Sequence, residues 1–188
     1  MRVGVYVDGL DMYYGARDMC GPDTPGWGWV DIRSLARSLV GGRIGWDGAH
    51  IGPVVYCTAA PPGEADQETY RKALLATGSV DHIEYGHRGP GGRRVPLAAH
   101  MLADVRAGTV GAVVVIANDG GLRSTLREAR LRVPVGTVNP SPGAIASGMR
   151  DRSAEGVIWH WWRRITGPHY RQNQLSDPAA GYDRPAGW

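Results

Sequence analysis

Three acidic side chains stand where a folded chain can bring charge together. Asp8 and Asp11 follow the apolar run "RVGVYV", and Asp119 follows "GAVVVIA" within "NDGG". Each run is rich in β-branched residues and apolar on both faces of a strand, which suits the middle of a parallel sheet covered by helices on each side. If the two strands are neighbours, Asp8 and Asp119 arrive at one edge of that sheet. Carboxylates held together repel and raise each other's pKa unless a cation or a strong donor neutralises them. A hard divalent cation such as Mg²⁺ or Mn²⁺ is one natural partner, since it prefers oxygen ligands and keeps several waters. The plainer alternative is that each acid caps the helix after it, where negative charge meets the helix dipole. Spacing alone leaves both open.

Other residues have chemical potential of their own. The stretch "GHRGPGGRRV", from Gly86 to Val95, reads as a basic loop in which Arg88, Arg93 and Arg94 can grip an RNA backbone or simply face solvent. His100 and Asp104 are four apart in the helical pattern after Pro96 and so share a face, where His100 either touches phosphate or is satisfied by Asp104. The stretch "WHWWRR" mixes aromatic and basic groups as single-strand binders do. Trp159 and Trp162, three apart on a helix, read more simply as partly buried packing residues, and Trp27 and Trp29 as structural. A Walker loop, a GxGxxG run and an HExxH pair are all missing, so nucleotide hydrolysis and zinc proteolysis have no support.

The elements that must position these groups alternate in type. Arg2 to Val7 reads as a strand. A helix starts at the N-cap candidate Asp31, with Ile32, Leu35, Ala36 and Leu39 on one face. Val54 to Thr58 is a second strand, Asp66 to Thr77 a helix, Val80 to Tyr85 a third strand and Pro96 to Ala107 a helix. Gly111 to Ala117 is the clearest strand; Leu122, Leu126 and Ala129 mark a helix, and Val133 to Val138 a further strand. "GVIWHWWRRI" has room for a short strand and a helix. From Gly167 the chain is polar and rich in Pro and Gly, which predicts a domain over 1–166 and a tail over 167–188. Alternating strands and helices imply right-handed crossovers and a doubly wound parallel sheet, whose ligands bind beyond the carboxyl ends of the strands.

With 188 residues, 43% of them hydrophobic, the chain fits one compact domain with a sizeable core. Cys20 and Cys57 lack the spacing of a zinc site or a redox pair, so they read as reduced thiols of a cytoplasmic protein. Neither a leader pattern nor an apolar stretch near the roughly 20 residues of a membrane span is present. Lys72 is the single lysine among 21 basic residues. The net charge of +3 is weak support for nucleic acid as partner, although arginine does bind phosphate bidentately.

"RVGVYVDGLDMYYG" resembles the opening of the NYN family, a PIN-like group of metal-dependent ribonucleases whose usual form is V-D-G-F-N-L-Y-Y-G. "WVDIRSLA", "VVYCTA", "YRKALL", "LAAHMLADV", "VVVIANDGGL" and "VPVGTVNP" agree with later segments in order, so the resemblance covers roughly residues 2 to 140. It implies a PIN-like three-layer sandwich with a central, mainly parallel sheet, and an acidic pocket whose Mg²⁺ or Mn²⁺ activates water and stabilises the departing oxygen during RNA cleavage. Asp8 matches the family's first acid, Asp11 replaces its usual Asn, and Asn118 and Asp119 match the N-D of S-N-D-S-D. His100 and Asp104 match H-L-L-x-D. Two departures stand out: Gly121 replaces the second Asp of that motif, and Arg94 stands where another metal-site acid is expected. The resemblance therefore implies at most one weakly held ion at Asp8, Asp11 and Asp119, with Asp104 or Asp11 positioning water, and Arg88, Arg93, Arg94, Asn118 and His100 facing RNA. The alternative is a degenerate relative that keeps the fold and binds RNA or a protein partner. The tryptophans leave room for a homodimer.

Overall fold

The computed structural model of the chain describes residues 1–59, 65–86, 92–150 and 160–188. It is an α/β three-layer sandwich. In chain order the elements are β1 (Arg2–Asp8), α1 (Gly9–Cys20), α2 (Ile32–Val40), β2 (His50–Ala59), α3 (Ala65–Ala76), β3 (His82–Gly86), α4 (Arg94–Ala107) and β4 (Ala112–Ile116). A 3₁₀ turn (Gly120–Leu122), α5 (Arg123–Arg130), β5 (Val135–Asn139), α6 (Ser147–Arg150), β6 (Trp161–Arg164) and α7 (Gly167–Gln172) complete it.

All strand pairs are parallel and the sheet order is β3-β2-β1-β4-β5-β6. The order reverses between β1 and β4, the place where a doubly wound sheet opens a crevice for ligands. Both faces are covered, which explains why the central strands are apolar throughout rather than alternating. Val3, Val5 and Val7 of β1 and Val114 and Ile116 of β4 join one core with Met12, Leu35, Leu39, Tyr70 and Tyr170. Tyr6, Val113 and Val115 face the other, with Leu97, Met101, Leu126 and Met149. Among the described residues no helix is long and apolar enough to cross a membrane.

Three expectations are corrected. First, a helix, α1, lies directly after β1. Its buried face is Gly9, Met12, Gly15 and Ala16, too small and too glycine-rich to register as an apolar stripe. Gly15 lies on the backbone of Pro140, so even a methyl group there would collide. Second, residues 167–188 are no tail. Tyr170, Leu175, Ala179 and Trp188 belong to the first core, with Trp188 stacked on Trp27 at 5.7 Å between ring centroids and its side chain against Gly28. Few large apolar residues supply that packing, so composition read as a linker although position did not. Third, Trp162 sits on the outer strand β6, not on a helix, and is 43% exposed, while Trp161 turns inward to Trp46. Trp159 lies outside the described residues.

Candidate functional site

The chain brings its acids to the switch point by placing one at the end of β1 and one three residues beyond the end of its neighbour β4. Asp8 is the last residue of β1 and the N-cap of α1; its Oδ1 accepts the backbone N–H groups of Leu10 at 3.0 Å and Asp11 at 3.1 Å. Gly9 follows because the Tyr56 ring occupies the space a Cβ would need, and the Tyr56 hydroxyl donates to the Gly9 carbonyl at 3.2 Å. Asp119 caps the 3₁₀ turn after β4 through the Gly121 N–H at 2.8 Å. Both acids cap the turn that follows them at the carboxyl end of the sheet, but with Asp11 they do not bring their ligand atoms within the spacing of a shared ion.

Neither acid is left to seek an external cation. The Arg93 Nε donates to Asp8 Oδ1 at 2.9 Å and Oδ2 at 3.2 Å. Arg94 engages Asp119 through Nε at 2.6 Å and Nη2 at 3.0 Å, the two-pronged fork that makes arginine–carboxylate pairs strong. Asp8 is only 4% exposed, and a carboxylate so buried is tolerated because two amides and a guanidinium satisfy it. The arginines come from the first turn of α4 and its N-cap.

Asp11 completes the group from the first turn of α1, its Oδ2 accepting the Asn118 N–H at 2.8 Å. Burial, then the charge of Asp8 and more weakly of Asp119, raises its carboxyl from 3.8 to about 6, against the Asn118 bond and the charge of Arg93. The three acids therefore sense one another. Three carboxylates against two guanidinium groups leave one negative charge in excess.

The two departures from the acidic pattern turn out to be one structural event. A Cβ on Gly121 would overlap the Arg94 guanidinium. A side chain at 121 therefore requires the Arg94 guanidinium to shift, and glycine leaves room for it beside Asp119.

Other candidates go elsewhere. Asp104 accepts the Tyr6 hydroxyl at 2.7 Å and the Thr109 hydroxyl at 2.9 Å. It lies ten residues along α4 from Arg94, about 15 Å at helical rise, and is corrected from catalytic candidate to a structural acceptor. Asn118 is a stitch: its side chain accepts from the Ala146 N–H at 2.8 Å and donates to the Ala144 carbonyl at 3.1 Å. His100 bonds Glu84 at 3.2 Å rather than Asp104. Arg88 lies outside the described residues. Sequence reasoning missed His82 and Glu84, which with His100 form a group whose ligand atoms all lie within 4.8 Å; among the described residues this group, not the aspartates, has that spacing. Their i, i+2 alternation on a strand was the available signal. Burial, and then Asp8 and Glu84, push the Cys57 thiol up to about 12.

Fold and site together define a doubly wound α/β domain with an acidic switch point closed by its own arginines. Its architecture is similar to the crystal structure of a protein of unknown function, VPA0982 from Vibrio parahaemolyticus RIMD 2210633. The TM-score is 0.59 over 87% of this chain and 92% of that one, at 13% identity, a likeness of fold alone. Neither protein-family models nor curated proteins give a match to the chain.

Proposed function

We propose that this chain is a PIN-like domain of the NYN type that binds RNA at the carboxyl end of its sheet, with Arg93 and Arg94 standing where such a pocket would hold a divalent cation. The observation that carries this reading is the pair of ion bridges on Asp8 and Asp119, the acids that would ligate the ion. With the arginines seated, a divalent ion about 6 Å from one guanidinium is repelled by about 5.5 kcal/mol at an effective dielectric near 20, which offsets part of the attraction of the carboxylates. An RNA phosphate offers the same arginines an alternative bidentate partner. Arg94, its side chain 38% exposed against 27% for Arg93, is the one placed to reach it. Cys20 and Cys57 are free thiols, which suits a reducing compartment such as the cytoplasm.

A second reading, a metal-dependent ribonuclease, is favoured by the negative charge left in excess around Asp11. If Arg94 moves onto phosphate, Asp119 loses its partner, and the Asp11 and Asp119 side chains must draw closer to hold one weakly bound ion between them. That ion would supply Lewis-acid chemistry for phosphodiester cleavage.

The test is the purified chain with single-stranded RNA, with and without Mg²⁺ or Mn²⁺, alongside Asp119→Asn and the double variant Arg93→Ala/Arg94→Ala. The first reading expects binding without cleavage. It also expects the double variant to bind more weakly, with a log–log salt slope shallower by about 0.7 for the one lost phosphate contact. Metal-dependent cleavage that Asp119→Asn abolishes establishes the second reading. No RNA binding at low salt rejects both.

A further inference from the structure

A second convergence of ligating groups lies away from the aspartates, on the outer strand β3. His82 and Glu84, two residues apart, project to one face of β3, and α4 packs against that strand and adds His100. Both imidazoles aim Nε2 at a single atom, Glu84 Oε2, at 2.9 Å from His82 and 3.2 Å from His100. The two rings lie 5.1 Å apart between centroids. These side chains are 49%, 36% and 37% exposed, so water is available to each of them and burial does not force them together.

We propose that His82, Glu84 and His100 form a binding site for one Zn²⁺ ion, with the remaining coordination open to solvent. Two imidazoles and a carboxylate are a donor set that selects zinc over Mg²⁺ or Ca²⁺, which favour oxygen-rich shells. Zn–N and Zn–O bonds of about 2.0–2.2 Å in tetrahedral geometry place ligand atoms about 3.3 Å apart. Two of the three separations here are already near that value, and rotation of exposed rings adjusts the third. Each neutral imidazole binds through Nε2 by moving its proton to Nδ1, so the carboxylate keeps its charge for the metal. Three protein ligands with an open position is the arrangement of zinc sites that accept a further ligand, not of closed structural ones. The ion would clip β3 to α4 beside the point where the Gly86 and Gly92 backbones meet. None of its ligands belongs to the aspartate pocket, so the site stands whether or not the chain binds RNA.

The experiment uses the full chain without a histidine tag. Zn²⁺ is titrated by calorimetry, Co²⁺ by the visible absorption of a tetrahedral complex, and thermal unfolding is followed with Zn²⁺ and after chelation. We expect one site of micromolar or tighter affinity and a Tm rise of about 5–10 °C at a hundredfold excess over Kd. His82→Ala and His100→Ala should each weaken binding at least tenfold, Glu84→Gln similarly, while Asp119→Asn leaves it unchanged and millimolar Mg²⁺ does not compete. These residues are partly exposed, so circular dichroism of the metal-free variants should match wild type. Absence of saturable one-to-one binding below about 100 μM overturns the proposal. So does unchanged affinity in His82→Ala/His100→Ala, or loss of binding in Asp119→Asn.

Discussion

The carboxyl end of the sheet and the outer strand β3 both gather carboxylates against α4, and they neutralise them in different ways. At the switch point the partners are arginines, Arg93 holding Asp8 through one Nε and Arg94 holding Asp119 in a two-nitrogen fork. On β3 the partners of Glu84 are imidazoles, whose ring nitrogens are themselves metal ligands. One helix supplies both, Arg93 and Arg94 at its start and His100 about two turns on. What decides whether an acidic site can accept a cation is therefore the nature of the counter-group already there, not the number of carboxylates.

The contrast is broken most severely at Asp8. Asp8→Ala leaves Arg93 without its partner and α1 without its cap, and should cost about 3–5 kcal/mol in urea unfolding. Glu84→Ala, on an exposed strand, should cost less than about 1 kcal/mol. Equal losses would show that the two sites are not built differently. Next, Arg94→Ala/Gly121→Asp removes the closing arginine and restores an acid in its space. Mn²⁺ affinity, read by electron paramagnetic resonance, should rise at least tenfold, about 1.4 kcal/mol, with Zn²⁺ binding at His82 and His100 unchanged. No gain would mean that Arg94 is not what keeps the ion out.

Asp11 gives a smaller, pH-dependent effect. Its folded carboxyl titrates near 6 against an ordinary 3.8, so between those values the native state binds the extra proton. The stabilisation from that proton is complete below about pH 4 and is lost as pH rises through about 6. Asp11→Asn should flatten this slope and be more stable than wild type at pH 7 by about 1 kcal/mol. A variant less stable at neutral pH would contradict the crowding of the three acids. The smallest effect belongs to Gly121→Ala. It collides only with the flexible end of Arg94, so stability should fall by about 0.5–1 kcal/mol, the worth of a partly exposed ion pair, while Asp119 is freed.

Much of the fold was legible because strands buried on both faces must be apolar throughout. "RVGVYV" and "GAVVVIA" read as inner strands of a parallel sheet for that reason, while the fold alone shows them side by side. Helical spacing was less informative. It put His100 and Asp104 on one face of α4, yet one turn of helix was enough to give them different partners, Glu84 for His100 and Tyr6 for Asp104. Residues 167–188 misled because disorder was inferred from average composition, whereas Tyr170, Leu175, Ala179 and Trp188 seat the segment in the core.

The sequence by itself determined the layers and the order of charge along the chain, with an acid at or beyond the end of each of two strands, since periodicity and strand ends are local properties. Only the tertiary structure decided what those acids hold. Arg94 reaches Asp119 because residue 121, far along the chain, lacks a side chain, and His82, Glu84 and His100 meet because α4 lies against β3. Contacts between distant segments are set by packing, which no single stretch of chain encodes.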